Sequence, residues 1–388
     1  MTGSSRSSPI CSTDVRERRT RARLLLVVVL LAGPCLAACT SSGGTPSAAP
    51  SPTLTPTSSP PTAPASTPPV TPSPTTTPAA IDYGGQGVRW PRVARSAPPP
   101  ALGAVVTLDR VQRGDGGTLA AGLTLPRVGG TAAAPVVLTP CGARTSVTGS
   151  LRRIPPSGPH DVLVVIDPGH GGRAEGTHAP DGTREKDVVL DLARRAAVDL
   201  RGRVGRVVLT RDQDLEATIG FRVALADALR ADLALSVHLN ASPETTRSSP
   251  GTSAYGSVAD PAGRRAAGVV YASVRHYLEQ WTPTVRRWAA NPDSGALYRL
   301  GRNGQDYYGL LRQAHVTWVI AESAYLSAPR EAALLARPAV RAGLAGALAD
   351  GVVAVTSADT PGSGWRRPLT RPADPPAPPL PGRCVDPA

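Results

Sequence analysis

Apolar positions follow two rhythms along the second half of the chain, and each change of rhythm marks an element boundary. Val162-Leu163-Val164-Val165-Ile166 is a continuous, β-branched run that stops at Asp167-Pro168-Gly169. That is the pattern of a strand buried on both faces in an α/β domain. From Lys186 to Leu200 the period lengthens, and Val188, Val189, Leu192, Ala193, Ala196, Ala197 and Leu200 line one wide helical face. The alternation then repeats. It predicts strands over 204–209, 233–237, 253–257 and 316–320, and helices over 219–229 and 262–278. A closing helix over 331–353 is broken near Pro338. Strands and helices of these lengths predict an α/β domain over 159–356, a layered, mostly mixed sheet with helices on both faces.

Upstream the rhythm weakens. Short apolar runs at 105–108, 123–125 and 136–138 lie between glycine-rich turns. They predict a small β-rich unit within 81–158, or an arm packed on the main domain, and no chemistry attaches to it. Residues 39–80 are nearly all Ser, Thr, Pro, Ala and Gly after Cys39. With no apolar face they read as an extended, semi-rigid linker. About 40 such residues at ~3 Å each reach on the order of 100 Å. Residues 357–388 are again rich in proline and read as a tail.

The beginning has its own pattern. Arg16, Arg18, Arg19, Arg21 and Arg23 precede an apolar run, 24–31, that continues less purely to Leu36. The run is short for a membrane span and carries Gly33 and Pro34, so residues 1–38 read as an export signal. Leu36-Ala37-Ala38-Cys39 resembles a bacterial lipobox, whose cysteine becomes the acylated first residue. The expectation is an extracytoplasmic protein tethered through a lipid on Cys39 to the outer face of the membrane. The alternative is ordinary signal cleavage and release to the exterior.

The formal net charge of +13 comes almost wholly from arginine, for Lys186 is the sole lysine among 42 basic residues. Such a surface suits an anionic polymer or anionic lipid. The basic residues are spread out and no aromatic-interleaved patch accompanies them, so no nucleic-acid partner is expected. The cysteines are Cys11, Cys35, Cys39, Cys141 and Cys384, with no close pair to form a cysteine zinc site. If the exported chain starts at Cys39, Cys141 and Cys384 are left either bonded to each other or as two free thiols.

Candidate chemistry falls at element ends. His170 follows the first strand inside Asp-Pro-Gly-His-Gly-Gly, Glu185 precedes the first helix, His238 follows the third strand and Glu322 the last. In open α/β sheets such strand-end loops converge on one edge. Two histidines and a carboxylate with an open fourth position suit catalytic zinc, and a carboxylate off the metal can move protons. A lone histidine at a strand end is more often a satisfied polar group, but Gly169, Gly171, Gly172 and Asn240 are unusual for packing alone.

At these residues the chain resembles the zinc-dependent amidase_3 family of N-acetylmuramoyl-L-alanine amidases. The matching stretches are Val-Ile-Asp-Pro-Gly-His-Gly-Gly at 165–172, Glu185-Lys186-Asp187, Val-Leu-Thr-Arg-Asp at 208–212, Ser-Val-His-Leu-Asn-Ala at 236–241 and Ala-Glu-Ser-Ala-Tyr-Leu-Ser at 321–327. The resemblance spans about 160–352. It implies that His170, Glu185 and His238 bind Zn2+ and that Glu322 is catalytic. It further implies peptidoglycan as substrate, cut between the lactyl group of N-acetylmuramic acid and L-alanine. Asp167 is expected to orient a ligand or the loop. Asn240 is expected to bond the loop or substrate, and Arg211 to hold Asp212 or contact a peptide carboxylate, with the structural role favoured.

Departures from the family pattern are confined to three places. The loop 173–181 adds Glu175 and His178, neither counted as a ligand. Ser323-Ala324-Tyr325 replaces a stretch in which Gly-Phe is common. Residues 279–306, with Trp281, Arg286, Arg287 and Trp288, line a groove, cover it as a regulatory segment, or form a plain surface excursion. Rival readings are a zinc peptidase of stem peptides and a non-catalytic cell-wall-binding or regulatory protein, the latter expected to have lost a ligand. No residue identifies an activator, and a monomer is the default.

Overall fold

The computed structural model describes residues 105–114, 117–148, 151–152, 161–241, 251–281, 295–301, 304–357, 365–370, 380 and 382–386. Residues 1–38, read as an export signal, Cys39, the stretch 39–80 read as a linker, and the stretch with Arg286, Arg287 and Trp288 lie outside them. The described residues all belong to one compact unit, 76–388.

Seven strands precede the main domain: β1 (Val105–Thr107), β2 (Gln112–Gly114), β3 (Gly117–Leu119), β4 (Thr124–Gly130), β5 (Pro135–Leu138), β6 (Arg144–Ser146) and β7 (Leu151–Arg152). Five make an antiparallel sheet, β6-β5-β4-β1-β7, and β2 and β3 pair as a hairpin. The apolar runs read from the sequence are β1, β4 and β5. The polar strands β2 and β6 carry no alternation that could reveal them.

The main sheet uses β8 (Leu163–Pro168), β9 (Arg206–Leu209), β10 (Leu233–Asn240), β11 (Ser253–Gly256), β12 (Gly295–Leu300), β13 (Trp318–Tyr325) and β14 (Trp365–Thr370), in the order β14-β12-β11-β13-β10-β8-β9. All neighbours are parallel except β11 against β13, so the sheet is mixed. The central strands β8, β10 and β13 carry the unbroken apolar runs, as burial on two faces requires. Helices α1 (Glu185–Leu200), α3 (Pro261–Glu279), α5 (Pro329–Leu335) and α6 (Pro338–Thr356) pack on one face, and α2 (Ile219–Leu229) and α4 (Gly309–Gln313) on the other. Each predicted face residue of α1 is buried. Pro338 opens α6, where its missing N–H costs nothing.

Two stretches differ from their sequence reading. Residues 279–306, read as a groove, cover or excursion, contribute β12 inside the sheet. The tail at 357–388 contributes β14, on the sheet edge where Pro368 breaks no inner ladder. Composition dominated by proline hid a six-residue strand.

The amino-terminal sheet does not stand apart. Val105, Val106, Leu108, Leu119, Leu123, Leu125, Val137 and Val147 share one core with Leu215, Ala217, Phe221 and Leu225. Phe221 and Leu225 belong to α2, so this helix has one face in each core. A covalent link adds to the seam: Cys141 and Cys384 are disulfide-bonded, with their Cα atoms 5.6 Å apart and a sequence separation of 243. The Cys141 N–H also donates to Asp386 Oδ1 at 2.8 Å, and Arg173 Nη1 donates to the Gly382 carbonyl at 2.6 Å. Closing so long a loop restricts the unfolded chain, so Cys384→Ser is expected to cost about 2–4 kcal/mol. Denaturant titration checks it; an unchanged midpoint would mean that the hydrogen bonds alone hold the segment.

Candidate metal centre

Strands β8, β10 and β13 run parallel, so their carboxyl ends share one sheet edge. His238 on β10 lies directly across from Glu322 on β13 in the ladder. The Gly169 N–H donates to the Val237 carbonyl at 2.9 Å, drawing the loop after β8 beside His238. Glu185 opens α1 after that loop returns. Residues 170, 185, 238 and 322, far apart in sequence, thus meet at one edge.

Glu185 is the centre of the group. Its carboxylate is 4 % exposed, with Oε2 3.2 Å from His170 Nε2 and Oε1 3.1 Å from His238 Nδ1. The same oxygens accept the Thr177 N–H and the Leu239 N–H, each at 2.9 Å. Burial alone would raise the carboxyl's pKa, but hydrogen bonding and positive charge from the two histidines hold it well below the usual carboxylate range. The two imidazoles meet edge to face, ring centroids 4.8 Å apart.

One ligand atom from each of His170, Glu185 and His238 lies within 4.8 Å of the others. Zinc bonds of about 2.0–2.2 Å place tetrahedral ligand atoms roughly 3.3–3.6 Å apart, so this set fits a zinc ion with small side-chain adjustments. Two nitrogens and one oxygen also match a catalytic rather than a structural donor set.

Glu322 stands beside the cluster. Its Oε2 is buried with no hydrogen-bond partner. Burial, then the charge of Glu185, raises its carboxyl to about 8. Its backbone is fixed instead, with the Glu322 carbonyl accepting from Thr252 Oγ1 at 3.3 Å and Asn240 Nδ2 at 3.5 Å. A buried carboxyl oxygen without a partner, beside the cluster, is poised for a proton, a cation or a substrate N–H.

The glycines of the loop are there for closeness. A Cβ on Gly169 would lie 2.2 Å from His238 Cε1, and one on Gly176, at φ +75°, 2.5 Å from Glu185 Oε2. Gly169→Ala is therefore expected to displace the His238 ring and abolish zinc retention in a folded protein. Metal analysis after gel filtration checks it, and stoichiometric zinc in the variant would sink the steric argument.

The other candidate residues take supporting places. Asp167, fully buried, accepts from Ser236 Oγ at 2.7 Å and also from Thr210 and Arg222. It touches no ligand side chain, so its hold on the loop runs through Arg222. Arg211 lies beneath the loop, bonded to backbone carbonyls including that of Lys186 at 2.9 Å, which places it away from a peptide carboxylate. Asn240 also donates to Ser253 Oγ at 3.2 Å, tying β10 to β11 rather than reaching outward. Glu175 and His178 pair with each other at 3.1 Å on the exposed side of the loop, outside the cluster.

Sequence reading missed Arg222 and gave Lys186 no role. The lysine is buried, and its Nζ donates to the Gly172 carbonyl and to Asp214 Oδ2, both at 2.7 Å. Asp214 in turn accepts the Gly172 N–H at 2.8 Å. The available signal was that one basic position in an arginine-rich chain is lysine, where a point charge rather than a planar fork fits.

Residues 164–354 match the family described as N-acetylmuramoyl-L-alanine amidase. The amidase AmiC of Neisseria meningitidis serogroup B is 30 % identical over 216 residues, covering 49 % of this chain and 51 % of that protein. The chain thus spans about half the length of that relative. The germination-specific N-acetylmuramoyl-L-alanine amidase of Bacillus subtilis is 28 % identical over 207 residues, 49 % of this chain and 78 % of its own. Among solved structures, an N-acetylmuramoyl-L-alanine amidase from Clostridium difficile 630 is similar at 25 % identity and a TM-score of 0.43, covering 50 % of this chain and 96 % of that one.

Proposed function

We propose, from the premise that residues 164–354 belong to the N-acetylmuramoyl-L-alanine amidase family, that the protein hydrolyses peptidoglycan between the lactyl group of N-acetylmuramic acid and L-alanine. The observation that carries this reading is a single one. Glu322, with an unpartnered carboxylate oxygen, stands across the ladder from His238 in a His-Glu-His cluster.

His170, Glu185 and His238 would hold zinc. When bound, zinc supplies a Lewis acid that makes a water acidic near neutral pH and polarises the scissile carbonyl. Glu322 takes the proton of the attacking water and delivers it to the departing nitrogen. The C–N bond breaks, leaving a carboxylate on the lactyl group and a free amine on L-alanine. The Glu185 oxygens also accept the Thr177 and Leu239 N–H groups, and such outer bonds fix ligand geometry. All four polar side chains of the site are retained, which favours an enzyme over a non-catalytic wall-binding protein.

Placement of this chemistry outside the cytoplasm rests on the export pattern of residues 1–38, and anchoring on acylation of Cys39. The proline-rich stretch would then let the enzyme reach into the wall from the membrane. Labelling of the intact protein with radioactive palmitate, lost in Cys39→Ala, tests the anchor; unlabelled wild-type protein would refute it.

The test of activity is digestion of purified peptidoglycan by the zinc-loaded whole chain, with a chelated control and mass spectrometry of the products. Stem peptides with free L-alanine amino termini, absent with chelator, are expected. Cleavage within stem peptides would make it a peptidase, and no cleavage by a folded, zinc-bearing protein would favour a wall-binding role.

A further inference from the structure

His170 sits in a left-handed backbone conformation, φ 59°. A residue with a Cβ holds that conformation only when its surroundings enforce it. What enforces it lies directly under the loop. Arg211 donates from Nε to the Pro168 carbonyl at 3.0 Å and from Nη2 to the Gly169 carbonyl at 2.7 Å. Arg222, on α2, donates from Nη1 to the Pro168 carbonyl at 2.7 Å and from Nη2 to the His170 carbonyl at 2.6 Å. Three consecutive carbonyls, 168 to 170, therefore end on two buried guanidiniums.

That arrangement is costly. Two like charges lie side by side out of water. Burial first, then the charge of Arg222, brings Arg211 down to about 10. Asp167 pairs with Arg222 at the back of the clasp. Ordinary loops leave such carbonyls to solvent, so a buried double clasp on three of them needs a reason beyond satisfying hydrogen bonds. The reason offered by the geometry is the next atom along the chain: the His170 ring, whose Nε2 must lie 3.2 Å from Glu185.

We infer that Arg211 and Arg222 are positioning residues of the metal site, fixing the peptide planes on both sides of His170 so that its ring is held ready before the metal arrives. The inference rests on the metal-binding reading of the cluster but not on the identity of the substrate. Planar guanidiniums suit the task because each spans two carbonyls at set angles, which a lysine ammonium on a flexible stem does not reproduce.

The experiment uses the whole chain as wild type, as Arg222→Lys, and as the double variant Asp167→Asn/Arg222→Met. Arg222→Lys keeps a positive charge beside Asp167 but loses the fork. The double variant removes both members of the buried ion pair, so neither is left without the other, a replacement that is often neutral for stability, while Arg211 keeps the negative charges of Asp214 and Asp187 nearby. Zinc affinity is read by competition with a chromophoric chelator, and melting of the metal-free proteins is recorded beside it. Loss of an outer-shell partner typically weakens metal binding about 10–100-fold, and that loss is expected in each variant that melts cooperatively. Wild-type zinc affinity in folded Arg222→Lys or the double variant, whatever its melting temperature, would overturn the positioning role and leave the arginines as fold residues. A wild-type chain that binds no zinc would overturn the metal reading and the clasp with it; zinc bound normally but no peptidoglycan cut would leave the clasp standing and remove only the proposed reaction.

Discussion

Glu322→Gln should keep its zinc and lose hydrolysis by about 10²–10⁴-fold, the usual worth of a positioned acid–base group. The amide occupies the same volume but neither accepts the water's proton nor passes one on. Folding should be spared, because Glu322 Oε2 has no hydrogen-bond partner to lose. The variant also separates function from stability in metal-free protein. The Glu322 carboxyl moves from 4.5 in its ordinary state to about 8 in the fold. A folded group that binds its proton more tightly than the unfolded chain stabilises fully below the unfolded value. That contribution is lost as pH rises through the folded value. Chelated wild type is therefore expected to weaken between about pH 5 and pH 8 through this group. Chelated Glu322→Gln lacks the loss and should melt higher than wild type above pH 8. A bound cation nearby favours the ionised carboxylate, so the effect belongs to the chelated state. Near wild-type hydrolysis by Glu322→Gln would show that another group moves the proton.

Glu185→Ala should lose zinc and hydrolysis together and destabilise the fold as well. One carboxylate contacts both imidazoles and satisfies the Thr177 and Leu239 N–H groups. Truncation strands those donors at a cost of about 1–3 kcal/mol each. Glu185→Gln retains one acceptor oxygen, so it should fold better while still binding zinc poorly. Zinc content and the denaturation midpoint of both variants check this. Retention of one zinc per chain in Glu185→Ala would remove Glu185 from the ligand set.

The fold was legible wherever burial was two-sided. Val162 to Ile166 and Leu233 to Val237 could only be inner strands, and the apolar stripe of α1 could only be a helix face. The strand β12 was hidden because it begins in a stretch whose tryptophans and arginines suggest surface, and β14 because proline usually excludes a strand. His170 stood out by the glycines around it and Glu185 by its place at the start of a helix, whereas His238 and Glu322, read as following their strands, lie inside β10 and β13, two and three residues before the ends. Arg222 was not, since it lies mid-helix on an α2 whose apolar residues leave no distinct polar stripe. Its role depends on which way that helix faces, and only the packed structure fixes this. Cys141 and Cys384 posed the opposite case: the pairing was one of two open alternatives, and the structure has the two bonded, with the turn after β5 beside the tail.

Helix α2 belongs to two cores at once, and this bears on how the protein can be cut or grafted. The family match begins at residue 164, which invites a fragment that starts there. Such a fragment would leave Leu215, Phe221 and Leu225 without the strands that cover them, a contiguous sticky patch of the sort that drives self-association. The helix under that patch also delivers Arg222 to the His170 loop. A chimera that borrows only the matched segment would thus inherit the His-Glu-His cluster and Glu322 with an unsupported floor, and should precipitate or bind metal weakly. The natural cut for a transplant lies ahead of Val105, taking the small sheet along as part of the same unit.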